Sequence, residues 1–248
     1  HTPQPPILSG LVGSEMCIRD RCRGEYVTHW GGNQAACAQA KMLAPKLLEY
    51  NAEEREKIYD DFKRELRQFD HMGHGPLDIA LWDWAGKKLN CSIAVLLGSY
   101  RKYLKAYAST YHGDRNGGLD SKEAFADFAE QCFDMGYKAF KIHGWHEGDA
   151  KEEAENVLHV AKKVGDKMTL MLDPACQLKT FADALYVGKA CDEANFFWLE
   201  DPYRDSGVSA FSHKRLREML KTPLLQTEHI RGLSLIHISE PTRPERID

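Results

Sequence analysis

Polar residues recur along this 248-residue sequence at intervals of one strand plus one helix: Lys141 with His143, then Asp173, Glu200 and Glu228. The interval is about 30 residues, the length of one βα unit. Each group closes a short run of β-forming residues, so parallel strands would carry all of them to one rim, at the same level of successive strands. Lys141 and His143 are two apart on their strand and share a face. Three carboxylates gathered at one place raise one another's pKa, and a divalent cation removes the conflict. Oxygen donors alone suit the hard ion Mg²⁺ and leave coordination positions for substrate oxygens, whereas zinc would draw nitrogen or sulfur. A substrate carboxylate held there can lose its α-proton, because the cation neutralises the enediolate that forms. The base must be neutral near pH 7. His143 meets this as an imidazole beside a protonated Lys141. In the alternative assignment Lys141 is the base and His143 orients it or binds substrate. The predicted chemistry is Mg²⁺-dependent removal of an α-proton from a small carboxylate.

Taken singly, each of these residues also reads as an ordinary charged residue at a loop start; the common interval is what joins them. His112, Asp114 and Arg115 follow the first strand within reach of a substrate but read first as a surface loop, and Trp145 with His146 read as the start of the next loop, with a pocket lip as the alternative. His71 and His74 read as turn and cap residues, and Cys176 as a small spectator beside Asp173.

The elements that must position these groups are legible in the hydrophobic periodicity. Residues 34–105 are mostly helical in pattern, with charged helix formers over 52–68 and an apolar stripe of Leu77, Ala80, Leu81, Trp84 and Ala85 at helical spacing. The run 71–76 is a turn that opens this second helix, with Pro76 in its first turn. After Lys105 the rhythm becomes strand then helix. Strands are predicted at 104–110, 138–143, 168–173, 195–200 and 223–228. Helices follow from a Ser121 cap to Gly136, from about Asp149, over 180–190 and over 209–220. The fold class is therefore α/β, a mostly helical part over 22–102 followed by five βα units of a parallel sheet over 103–232.

The two ends, 1–21 and 233–248, are expected to be non-native tails. Residues 233–243 and 11–20 correspond to one DNA segment translated on opposite strands, similar to a transposon adapter used in sequencing libraries, and are set aside from fold reasoning. Lys and Arg number 33 against 37 Asp and Glu, a formal charge of -4, which excludes the basic excess expected of a nucleic-acid partner. The 7 cysteines are scattered and never spaced as CxxC, which excludes a zinc knuckle and a secreted disulfide frame and points to a reducing cytoplasm. No apolar run reaches the roughly 18 residues of a membrane span, so no membrane partner is expected.

Over nearly all of 22–232 the sequence resembles the enolase superfamily, in its mandelate racemase and muconate lactonizing branch. The resemblance rests on Gly75-Pro76-Leu77-Asp78-Ile79-Ala80-Leu81-Trp82-Asp83-Trp84-Ala85-Gly86-Lys87, on Lys141-Ile142-His143, on Leu172-Asp173, on Trp198-Leu199-Glu200-Asp201-Pro202 and on Thr227-Glu228. It implies a truncated (β/α) TIM-type barrel, of the modified kind, preceded by a partial α+β capping domain, with Asp173, Glu200 and Glu228 as the Mg²⁺ ligands. Lys141 matches the first lysine of the family's Lys-x-Lys pair, and His143 stands where the second, usually the base, would be. Ala175 replaces an asparagine often found two residues after the first ligand. The implied activity is acid-sugar dehydration in a homo-oligomeric parent enzyme. Racemisation or epimerisation, or a sugar-acid-binding βα domain without catalysis, are the alternatives. With five of eight strands, the chain as given is expected to be inactive.

Overall fold

The computed structural model describes residues 22–25, 32–69, 71–202, 204 and 210–225. The chain divides into two compact units between Tyr103 and Leu104. Among the described residues the first unit is helical: α1 (Gly32–Leu47), α2 (Arg55–Glu65), α3 (His74–Leu89) and the short α4 (Ile93–Leu96). The helical spacing predicted for α3 holds, with Leu77, Ala80, Leu81 and Ala85 buried and Trp84 only half-buried. Leu77 and Leu81 close a core with Leu43, Leu47, Ile58, Phe62 and Leu66 from α1, α2 and the turn after α2. His74 is a core residue at the start of α3, edge-on to Phe62 at 5.9 Å. Gly73 before it leaves room for α1: a Cβ there would lie 2.3 Å from Gln39 Cβ and 2.5 Å from Ala40 N.

The second unit alternates strand and helix: β1 (Ala108–Ser109), α5 (Lys122–Asp134), β2 (Ala139–His143), α6 (Ala150–Val164), β3 (Thr169–Asp173), α7 (Phe181–Glu193), β4 (Trp198–Glu200), α8 (Ala210–Met219) and β5 (Leu224–Leu225). All neighbouring strands are parallel, and their order in the sheet is their order in the chain. One face of the sheet carries Phe140, Ile142, Leu170, Leu172 and Leu199 into a core with Phe125, Ala129, Val157, Val160, Ala184 and Val187 of the helices. A sheet with its helices on this one face and its strands in chain order is the arc of a β/α barrel; a doubly wound sheet reverses order and is covered on both faces.

Local chemistry sets the helix starts. Ser121 accepts the Ala124 N–H, Asp149 accepts those of Lys151 and Glu152, and Thr180 forms a reciprocal capping box with Asp183. Strands β1 and β4 are several residues shorter than the sequence predicts. Residues before Ala108 form no ladder, and Leu104 is exposed. Before β4, Asn195 takes a left-handed conformation with φ 54° to end α7, so only Trp198–Glu200 is strand. Among the described residues no helix is long and apolar enough to cross a membrane.

Candidate active site at the strand ends

The residues that alternate with the core positions face the other side of the sheet, and there the predicted polar groups meet. Lys141 Nζ donates to Asp173 Oδ2 at 2.9 Å and to Glu200 Oε2 at 2.9 Å, all three side chains being largely withdrawn from solvent. His143 Nε2 lies 3.5 Å from the same Asp173 oxygen. Four of the five sequence-predicted site residues are thus brought together. The fifth, Glu228, lies outside the described residues, as does Thr227. Among the described residues no group of three His, Cys, Asp or Glu is arranged to hold a metal ion.

The register corrects one detail of the sequence reading. Lys141 pairs with Met171 and His143 with Asp173, so Lys141 is not level with the first carboxylate. It sits two residues lower on its strand, and its long side chain reaches up between Asp173 and Glu200. The sequence interval located the strand ends; the height of each residue depended on the pairing register.

The electrostatics follow from burial and from one ammonium shared by two acids. Burial alone would lower the Lys141 pKa, but Asp173 and Glu200 outweigh it and hold the ammonium above its ordinary value. The Glu200 pKa is raised from its ordinary value: burial and the Asp173 charge raise it more than Lys141 and Trp198 lower it. Burial pushes the His143 imidazole down to about 4 and the charges of His112, Lys141 and His146 add to this, against the upward pull of Asp173. At neutral pH the pocket therefore presents a neutral imidazole beside an ammonium that lies between two acidic side chains.

Several residues that the sequence reading did not assign complete the site. Trp198 Nε1 donates to Glu200 Oε2 at 3.1 Å. The Tyr107 ring lies edge-on to Trp198, with Lys141 Nζ 5.7 Å from its centroid. Thr110 is buried at the end of the first strand run, and its Oγ1 accepts the His143 N–H at 2.8 Å. His112, read from the sequence as part of a surface loop, stacks on His143 with centroids 3.9 Å apart and planes 22° apart; His146 lies on it at 3.9 Å. Only the position of His112 and Thr110 after a strand hinted at this. Arg115 instead stacks on Trp145 and pairs with Glu152. After β3, Asp173 Oδ1 accepts the Ala175 N–H at 2.8 Å, and Ala175 and Cys176 are both left-handed, with φ 51° and 61°. Ala175 thus occupies the backbone conformation that asparagine tolerates better than alanine.

Every acidic donor there is an oxygen, the type a hard divalent cation takes, and Asp173 Oδ2 and Glu200 Oε2 here both accept from the Lys141 ammonium.

Comparison with known proteins agrees with this architecture. Residues 23–98 match the family profile described as mandelate racemase / muconate lactonizing enzyme, N-terminal domain, and residues 124–237 match the enolase C-terminal domain-like profile. The chain is 29% identical over 185 residues to a 3,6-anhydro-alpha-L-galactonate cycloisomerase of Streptomyces coelicolor, covering 71% of this chain and 48% of that protein. It is 27% identical over 226 residues to an L-talarate/galactarate dehydratase of Salmonella typhimurium, covering 88% and 54%. It also superposes on the crystal structure of a racemase from Streptomyces coelicolor with bound magnesium, with a TM-score of 0.75 and 22% identity, covering 88% of this chain and 60% of that one. The chain spans about half the length of the curated relatives it matches. With both family profiles matched in order and the barrel arc carrying its polar strand ends, the chain belongs to the mandelate racemase/muconate lactonizing branch of the enolase superfamily.

Proposed function

We propose that the full-length protein carrying this chain is a Mg²⁺-dependent enzyme that removes the α-proton of an acid-sugar carboxylate, with dehydration as the outcome. The observation that carries the reading is the gathering of Asp173 and Glu200 around the Lys141 ammonium with the His143 imidazole 3.5 Å from Asp173. Asp173 and Glu200, joined by Glu228, would hold the ion. Bound there, Mg²⁺ supplies the positive charge that makes a carboxylate with a departing α-proton tolerable. His143 takes the proton on a ring nitrogen. Lys141 gives two of its three N–H bonds to carboxylates, keeps its charge, and has one left to direct at a substrate oxygen. Thr110 fixes the backbone of His143 and Trp198 the carboxylate of Glu200, so neither group has to be ordered when substrate arrives. The relatives compared above carry the names of a cycloisomerase, a dehydratase and a racemase. Racemisation would require a second acid-base group on the opposite face of the carbon.

Calorimetry with Mg²⁺ on the full-length protein, paired with deuterium exchange at the α-carbon of a panel of aldonic and aldaric acids, tests this. Binding by the parent and its loss in Glu200→Gln are expected. In His143→Asn exchange should disappear while Mg²⁺ binding persists. A parent that binds no Mg²⁺, or a His143→Asn protein with full exchange, would overturn the assignment.

A further inference from the structure

Beneath the strand end that carries His143 lies a further buried carboxyl that the proposed chemistry does not use. Glu153, in the first turn of α6, is 1% exposed. Its Oε1 accepts the Trp145 N–H at 2.7 Å, and its Oε2 is buried without a hydrogen-bond partner among the described residues. The two oxygens press against the peptide before Trp145: a Cβ added to Gly144 would lie 2.5 Å from both. That peptide is tied on its other sides. The Gly144 N–H donates to the Asp173 carbonyl at 3.1 Å, and the Gly144 carbonyl accepts from the Gly113 N–H at 3.3 Å and faces His112 Nδ1 at 3.1 Å. Trp145 is itself anchored, its Nε1 donating to the Leu119 carbonyl and its ring edge-on to Phe125. The turn His143-Gly144-Trp145 is therefore clamped between the sheet, the β1–α5 loop and one helix side chain.

We propose that Glu153 is a positioning residue, which fixes the Gly144–Trp145 peptide and through it the stacked imidazoles of His143 and His112. The inference rests on the reading of His143 as the base. A carboxyl is not required for packing alone, since an apolar residue would fill the same space without leaving Oε2 unpartnered. What the site needs from the helix is an acceptor for the Trp145 N–H, and Glu153 supplies it. Burial raises the Glu153 pKa to about 7; Glu152 and Glu147 push the same way, while the Trp145 N–H and Arg115 pull it down. The acid form is accordingly well populated near neutral pH, and a glutamine reproduces both its shape and its acceptor.

Full-length protein with ¹⁵N-labelled histidine and saturating Mg²⁺ provides the test, because the ring signals of His143 and His112 can be read whether or not a substrate is known. Glu153→Gln should keep the parental ring signals. Glu153→Leu should shift both, and should lower kcat for α-deuterium exchange of galactarate by about a hundredfold, the size expected for a misplaced reacting group, with little change in KM. Mg²⁺ affinity by calorimetry should match the parent in both variants. Should Glu153→Leu fail to fold, Glu153→Asp carries the test, since its shortened carboxyl withdraws from the Trp145 N–H and should shift the same two rings. Unshifted rings in Glu153→Leu or Glu153→Asp would overturn the inference. A parent that binds no Mg²⁺ would overturn the proposed function instead, with the ring signals still readable.

Discussion

Replacing Lys141 with methionine keeps the length of the side chain and removes the one positive charge set between Asp173 and Glu200. Both contacts are 2.9 Å long, and the side chains are only 11%, 8% and 16% exposed, so solvent cannot replace the lost ammonium. Breaking a buried pair by deleting one partner costs about 3–5 kcal/mol. The lower end applies here, because Glu200 is already raised by burial and by Asp173 and can relieve the repulsion by taking up a proton. With urea slopes of about 1–3 kcal/mol per molar, the unfolding midpoint of Lys141→Met in EDTA should fall by about 2 M below the parent. Added Mg²⁺ at a hundred times its Kd should return about 2.7 kcal/mol through the native state alone. Lower pH should also narrow the gap, as one carboxyl protonates. The assay is urea unfolding of parent and variant, with EDTA and with Mg²⁺. Equal midpoints in EDTA, or a variant that Mg²⁺ does not stabilise, would show that the two carboxylates do not share one point and would sink the metal reading with it.

Other consequences concern single side chains. The raised pKa of Glu153 means that the folded state holds a proton the unfolded chain releases, so stability from this group is complete below about pH 4.5 and is lost as pH rises through about 7, a total near 3 kcal/mol. Urea unfolding at pH 5 and pH 8 should show the parent losing up to about that amount relative to Glu153→Gln; parallel pH dependence in the two proteins would refute it. Thr180→Ala removes one half of the capping box of α7 and should lower stability by about 1 kcal/mol, read as a shift of the urea midpoint at unchanged slope. Gly73→Ala places a methyl group against Gln39 and Ala40 and should destabilise the helical unit by about 1–3 kcal/mol; a thermal midpoint equal to the parent's would mean that α1 can withdraw at no cost.

Much of this protein was legible in one dimension because its determinants are local. Helix caps such as Ser121, Asp149 and Thr180 act within four residues, and the apolar stripe of Leu77, Ala80, Leu81 and Ala85 needs only a helical period. The interval between Lys141, Asp173 and Glu200 located their strands because a parallel strand cannot return without a helix of fixed reach. The remainder depended on how separate segments come to lie side by side. Register placed His143, not Lys141, level with Asp173, and only that offset lets one ammonium reach two acids. His112 became a neighbour of His143, and Glu153 of Trp145, because the β1–α5 loop and α6 both close over the same strand end. Burial then set the protonation of His143, Glu200 and Glu153, since the free energy of a charge depends on the dielectric around it and a sequence states only which groups could carry one.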